Sequence, residues 1–113
     1  MPINDWSDSI VIAQLADEPA YSEDMGQLLD RLEDFAQPAP DVVVDLKGVT
    51  YLNSTNIAQL LRLRKKLLAR NRRLRICSVT DTVWSELLIT GLDKLFDFTD
   101  DVSTSLASLQ IEQ

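Results

Sequence analysis

The sequence predicts a single α/β domain in which four helices cover a mixed sheet of four or five strands, most of them parallel. Short apolar runs typical of strands alternate with longer segments of helical spacing in the order β-α-β-α-β-α-β-α. Such alternation implies parallel strands joined by right-handed crossovers. The chain has 113 residues, of which 45% are hydrophobic and 26% charged, as expected for one globular domain. Because no linker divides it, residues 1–113 are expected to form one unit.

The first predicted elements are a strand and a helix. Residues 10–13 form a short apolar strand, and residues 2–6 are expected to pair with it through a turn at Ser7 and Asp8. The helix that follows has Ser22 as its expected N-cap, and a Pro-Ala-Pro segment ends it. The apolar side chains that define this helix are Met25, Leu28, Leu29, Leu32, Phe35 and Ala36.

The middle of the chain predicts a central strand and a second helix. Residues 41–46 contain three consecutive valines, which is typical of a parallel strand buried on both faces. Residues 47–52 then lead into a helix that ends near Asn71. The apolar stripe expected on that helix consists of Ile57, Leu60, Leu61, Leu67 and Leu68.

The last third predicts two further strand–helix pairs. Residues 74–79 alternate as a strand does, and residues 81–90 form a helix with Gly91 at its C′ position. Residues 95–98 form a short strand. The residues expected to open the final helix or to pack beneath it are Asp100, Asp101, Leu106 and Leu109.

Several chemistries are excluded by what the sequence lacks. Without histidine there is no Ser-His or Cys-His pair and no histidine metal site, and the single Cys77 permits neither an internal disulfide nor a cysteine-rich zinc site. The three glycines lie too far apart for a phosphate-binding loop. We therefore expect a non-enzymatic protein without cofactor or metal, and a core position for Cys77. The N-terminus does not resemble a signal peptide, and no apolar stretch could insert into a membrane, so a cytoplasmic location is expected.

Charge is unevenly distributed along this acidic chain, whose net charge is −7. Residues 62–75 contain eight basic and no acidic residues, whereas the rest of the chain has three basic and 18 acidic ones. The favoured interpretation is a solvated helix face followed by the start of a strand. A nucleic-acid patch is the alternative, but the surrounding negative charge would repel a polyanion, so no nucleic-acid partner is expected. An acidic protein surface suits the segment at least as well.

One segment carries a resemblance to a known family. Residues 42–57 read Val-Val-Val-Asp-Leu-Lys-Gly-Val-Thr-Tyr-Leu-Asn-Ser-Thr-Asn-Ile, which resembles the STAS signature, a strand ending in Asp-Leu that leads to Asp-Ser-Ser/Thr-Gly-Leu at a helix start. Thr-Gly-Leu at 90–92 is similar to the family's Ser-Gly-Leu. The likeness covers residues 9–110 and is closest to the anti-sigma factor antagonists.

The resemblance implies a partner switch controlled by phosphorylation at the start of the second helix. It implies Ser54, or its neighbour Thr55, as the phosphate acceptor. The implied partners are an anti-sigma factor with a kinase-like domain and a serine phosphatase. The residues implied to contact a partner are Asn53, Asn56, Gln59 and Arg62.

Alternatives remain open at this stage. Asn53 and Asn56 stand where the family usually has Asp and Gly, which is also compatible with a STAS domain that binds without being phosphorylated. Free-standing STAS proteins also serve as accessory subunits of membrane transport complexes. From the residues alone, Ser54 is favoured as a plain helix N-cap, a role that Asn53, Thr55 and Asn56 could each fill as well. Trp84 is either half-buried core or an interface anchor, and Asp45 either influences the Ser54 site or caps a turn.

Overall fold

The computed structural model describes residues 2–111 and contains one five-stranded sheet. The strands follow the chain order β1-β2-β3-β4-β5, with β1 antiparallel to β2 and all other neighbours parallel. The predicted fold class is confirmed, and so is the pairing strand expected within residues 2–6. The elements are β1 Ile3–Asp5, β2 Ile10–Ala16, α1 Ala20–Glu33, β3 Asp41–Gly48, α2 Ser54–Ala69, β4 Leu74–Cys77, α3 Asp81–Thr90, a 3-10 turn Leu92–Lys94, β5 Phe98–Thr99 and α4 Val102–Ile111.

Two apolar cores lie on the two faces of the sheet. Val42, Val44 and Leu46 of β3 point into the larger core, which is completed by side chains of α1, α2 and α3. Val43 points to the other face, where it joins Cys77 in a smaller core beneath α4. The three valines are fully buried, because successive side chains of a strand alternate between its faces. The predicted strand with two buried faces is confirmed, and so is the core position of Cys77.

The first helix differs from the prediction at both ends. It begins at Ala20 with Pro19 at the N-cap position, and Ser22 lies within its first turn. The Ser22 N–H and hydroxyl donate to the Glu18 carboxylate at 2.7 and 2.5 Å, so a carboxylate takes over the capping role expected of Ser22. The helix ends at Glu33, and Phe35, predicted to be on its buried face, is 76% exposed.

Other boundaries moved by up to three residues, and one buried position on α2 differs from the prediction. In α2 the buried stripe includes Leu63 instead of Leu68, which is 56% exposed. Strand β4 ends at Cys77 because Ser78 adopts a left-handed conformation with φ 56°. The expected strand at 95–98 was misplaced, since β5 is limited to Phe98–Thr99. Gly91 does end α3 with φ 76°, a backbone angle that glycine adopts without steric cost.

Candidate functional site

The loop that connects β3 to α2 is held from three directions. The Thr50 N–H and hydroxyl donate to the Asp17 carboxylate at 2.8 and 2.7 Å. The Leu52 N–H donates to Glu86 of α3 at 3.0 Å. The hydroxyl of Thr80 donates to the Val49 carbonyl at 3.2 Å. These contacts fix the loop from both neighbouring strand ends, so the start of α2 has a defined position at the carboxyl edge of the sheet.

Asn53 is the N-cap of α2, and it forms a reciprocal capping box with Asn56. The Asn56 N–H donates to the side-chain oxygen of Asn53 at 2.8 Å, and the Asn53 N–H donates to the side-chain oxygen of Asn56 at 3.1 Å. Such a box satisfies two backbone donors at once. The interpretation of Ser54 as the cap is therefore wrong, because the residue before it performs that role.

Ser54 and Thr55 occupy the first two positions of α2, and both are exposed. Across residues 2–111, neither hydroxyl takes part in a described hydrogen bond. The first turn of a helix also presents N–H groups without intrahelical partners and a partial positive charge. Two free hydroxyls therefore stand at a helix end that favours negative charge.

Asn56 and Gln59 face the first helix. Asn56 is 2% exposed, and its carbonyl accepts a hydrogen bond from the buried hydroxyl of Tyr21 at 3.3 Å. Burial raises the pKa of Tyr21, so this hydroxyl stays protonated and remains a donor. The Gln59 amide nitrogen donates to the Ser22 hydroxyl at 3.3 Å. The Asn56 backbone and the Gln59 side chain thus fasten α2 to α1 beneath the exposed turn, whereas Arg62 is exposed one to two turns further along.

Three residues at this edge were not singled out in the sequence. Asp17 lies after the second strand and contacts the loop before α2, and its hydrogen bonds from Thr50 lower its pKa. Bonds from Ser22 lower the pKa of the adjacent Glu18. Tyr51 is 47% exposed, three residues before Ser54. Their position after a strand could have indicated them, because the carboxyl ends of parallel strands meet at one edge of the sheet, where ligands commonly bind.

The remaining candidates make contacts within the described part of the chain. Asp45 is 8% exposed, and its carboxylate accepts a hydrogen bond from the Lys47 N–H at 2.9 Å. It therefore holds the backbone of the last residues of β3. Trp84 is 38% exposed and packs edge-on against Phe98, with ring centroids 5.1 Å apart. Burial raises the pKa of the Cys77 thiol, which keeps it in the unreactive form.

Most of the basic segment is used within the fold. Arg70 donates to the carbonyls of Leu32, in the last turn of α1, and Gln37, in the loop after it, and its guanidinium lies 4.7 Å from the centre of the Phe35 ring. The Arg73 guanidinium lies 3.0 Å from the carboxylate of Asp41, which is 3% exposed. These contacts join the end of α2 and the start of β4 to neighbouring elements, which is more than the solvated face that the sequence suggested.

Residues 2–111 contain neither a cluster of metal-binding side chains nor a helix that could span a membrane. No group of three or more His, Cys, Asp or Glu side chains is arranged to hold a metal ion. None of the helices in this range is long and apolar enough to cross a membrane.

Comparisons with known proteins agree on the fold. The model of the STAS domain family matches residues 8–106. An anti-sigma-factor antagonist (STAS) domain protein from Planctomyces limnophilus is 19% identical with a TM-score of 0.79, covering 96% of both chains. The anti-sigma factor antagonist SpoIIAA in its unphosphorylated form is 13% identical with a TM-score of 0.79, covering 96% of this chain and 94% of its own. An anti-sigma factor antagonist from Mycobacterium paratuberculosis is 20% identical with a TM-score of 0.72, covering 96% and 91%.

Proposed function

Because the chain belongs to the STAS domain family, we propose that it is a regulatory binding module of the anti-sigma factor antagonist type, switched by phosphorylation of Ser54. Its partner is an anti-sigma factor with a kinase-like domain, and a serine phosphatase reverses the modification. The names of the similar solved proteins support the class of partner.

The observation that carries the proposal is the capping box at the start of α2. Because Asn53 and Asn56 cap the helix through each other, the Ser54 hydroxyl has no structural task and is exposed. A serine that capped the helix would have to give up that bond to be phosphorylated, at a cost of about 1 kcal/mol. Thr55, one position later, is the second candidate acceptor.

A phosphate on Ser54 would change the surface without melting the domain. It adds about 1.5 to 2 negative charges and three acceptor oxygens. The unpaired N–H groups and the dipole at a helix N-terminus stabilise such a group. Tyr51, 47% exposed in the preceding loop, gives a partner an apolar contact beside this point. A partner covering both would have to desolvate the phosphate, which costs several kcal/mol.

The test is phosphorylation and binding by the kinase-like anti-sigma factor from the same cells. The purified protein is incubated with this kinase and ATP, and the phosphorylated peptide is identified by mass spectrometry. The variants are Ser54→Ala and Thr55→Ala, and Ser103→Ala is the matched control. Ser103 is an exposed serine in the first turn of α4, a helix capped by Asp101.

We expect one phosphate on the wild type, Thr55→Ala and Ser103→Ala, and none on Ser54→Ala. Calorimetry should show that Ser54→Ala still binds the partner, whereas phosphorylation weakens binding by about 100-fold, equivalent to about 2.7 kcal/mol. A phosphate that persists in Ser54→Ala, or equal affinity of both forms, contradicts the switch. The second result would indicate a constitutive binding module.

A further inference from the structure

A second surface lies toward the C-terminal end of α2, away from Ser54. A groove of about 150 Å³ separates the last turns of α2 and the start of β4 from residues 95–97. Buried Leu67, Leu74 and Phe96 form its floor. Leu68 and Leu95 stand on its rim and are 56% and 45% exposed. A space of this size accommodates one ring-sized apolar group, so the groove could receive a single large side chain.

The groove is positively charged in an otherwise acidic protein. Four arginines line it, and two carboxylates of the described residues, Asp41 and Asp97, lie within ion-pair distance of three of them. Asp41 accepts the ion pairs of Arg72 and Arg73 at 3.2 and 3.0 Å. Asp97 lies 3.4 Å from Arg75, but 78% of its side chain is exposed, which leaves that pair weak.

Arg64 lines this groove, and one of its donors fixes the guanidinium in place. Its Nε donates to the Leu95 carbonyl at 3.0 Å, which holds the guanidinium across from α2 to the far rim. Across residues 2–111, no described hydrogen bond or ion pair involves its two terminal nitrogens. A guanidinium fixed in this way is preorganised for a carboxylate, because its planar array of donors matches two oxygens.

We propose that this basic groove binds an acidic amphipathic segment of a partner protein. A carboxylate of the segment pairs with Arg64, and an apolar side chain enters the groove between Leu68 and Leu95. The exposed leucines favour a protein segment over a nucleic acid, whose backbone offers no apolar group to cover them. Outside residues 62–75 the chain carries 18 acidic and three basic residues. This excess of negative charge repels an extended polyanion such as a nucleic acid, whereas a short peptide segment can bind the groove without approaching the acidic surface.

This surface is independent of the Ser54 switch. Arg64 lies ten residues after Ser54 on the same helix, which separates them by about 15 Å along the axis at a rise of about 1.5 Å per residue. The domain can therefore hold two partners at once, one whose release depends on phosphorylation and one whose binding does not.

The test uses a labelled helical peptide of about 18 residues with glutamates on one face and leucines on the other. Its binding to the purified protein is measured by fluorescence anisotropy and mapped by amide chemical shifts. The groove variants are Arg64→Glu and Leu68→Ser. Lys65→Glu and Leu88→Ser are the matched controls. Lys65→Glu likewise reverses one positive charge, Leu88→Ser likewise removes an exposed leucine, and both positions lie outside the groove.

We expect each groove variant to weaken peptide binding by about tenfold and each control to leave it unchanged. Shifts should cluster around the groove, and raising the salt from about 0.05 to about 0.5 M should weaken binding. Circular dichroism checks that all variants remain folded. Equal loss in Lys65→Glu and Arg64→Glu would overturn the proposal, as would the absence of binding, or single-stranded DNA of equal charge binding more tightly. Because Ser54 is unchanged throughout, failure here leaves the phosphorylation switch untouched.

Discussion

Replacing Asn53 with alanine should destabilise the domain, whereas replacing Ser54 should not. Asn53→Ala removes the oxygen that accepts the Asn56 N–H at 2.8 Å, and loss of such a cap costs about 1 kcal/mol, within about 0.5–2. For a domain of this size, a loss of about 1 kcal/mol lowers the melting temperature by about 4 °C. Ser54→Ala removes an exposed hydroxyl without a described partner in the range 2–111, so its effect should stay within about 0.5 kcal/mol.

Urea denaturation followed by far-UV circular dichroism measures both changes, provided that the slope of the free energy of unfolding against urea is the same for all variants. Asn53→Asp is the control, because it keeps an acceptor at the cap and adds a charge that the helix dipole favours. It should be as stable as the wild type or more so. If Ser54→Ala costs as much as Asn53→Ala, serine is the true cap, and the argument for a free phosphate acceptor fails.

Two further predictions concern the rest of the polar structure. Asp41→Ala should lower the free energy of unfolding, measured by urea denaturation, by about 2–4 kcal/mol. The reason is that the neighbouring arginines and the Arg73 N–H lose this buried acceptor. A loss below about 1 kcal/mol would contradict this. Hydrogen bonds from Ser22 lower the pKa of Glu18 in the folded state, so they stabilise the fold above the ordinary glutamate pKa of 4.5, and this contribution disappears as the pH falls through the lowered value. The difference in melting temperature between wild type and Ser22→Ala should therefore narrow on acidification, and a difference that stays constant down to about pH 3 would refute the linkage.

The sequence predicted the architecture well, because the fold depends on periodic patterns. Three successive valines in β3 and the helical stripes specify which faces are buried. Local endings were less predictable. Ser22 is an ordinary cap residue by type, but Glu18, four positions earlier, reaches its N–H. The strand expected at 95–98 was displaced because Gly91 turns the chain into a 3-10 segment first.

The candidate site was predictable in position but not in detail. Four consecutive polar residues, 53–56, indicate the N-terminus of a helix, and by residue type any of them could be its N-cap. Only the backbone angles of Asn53 and the burial of Asn56 decide between them. The contact of Asp17 with Thr50 joins residues 33 positions apart, and no local pattern encodes such a pairing.

Some residues of α2 hold the helix against α1, and others take no described part in that contact. Beneath its first turn, Asn56 and Gln59 are tied to α1, and near its end Arg70 is tied to the loop after α1. Since these contacts fix both ends of the helix, a charge added at Ser54 meets a rigid support and alters the surface rather than the fold. Arg64 lies between the two fixed ends, and no described contact within residues 2–111 uses its two terminal nitrogens. The rigidity that supports the proposed switch at Ser54 would also leave the proposed binding groove beside Arg64 unchanged by phosphorylation.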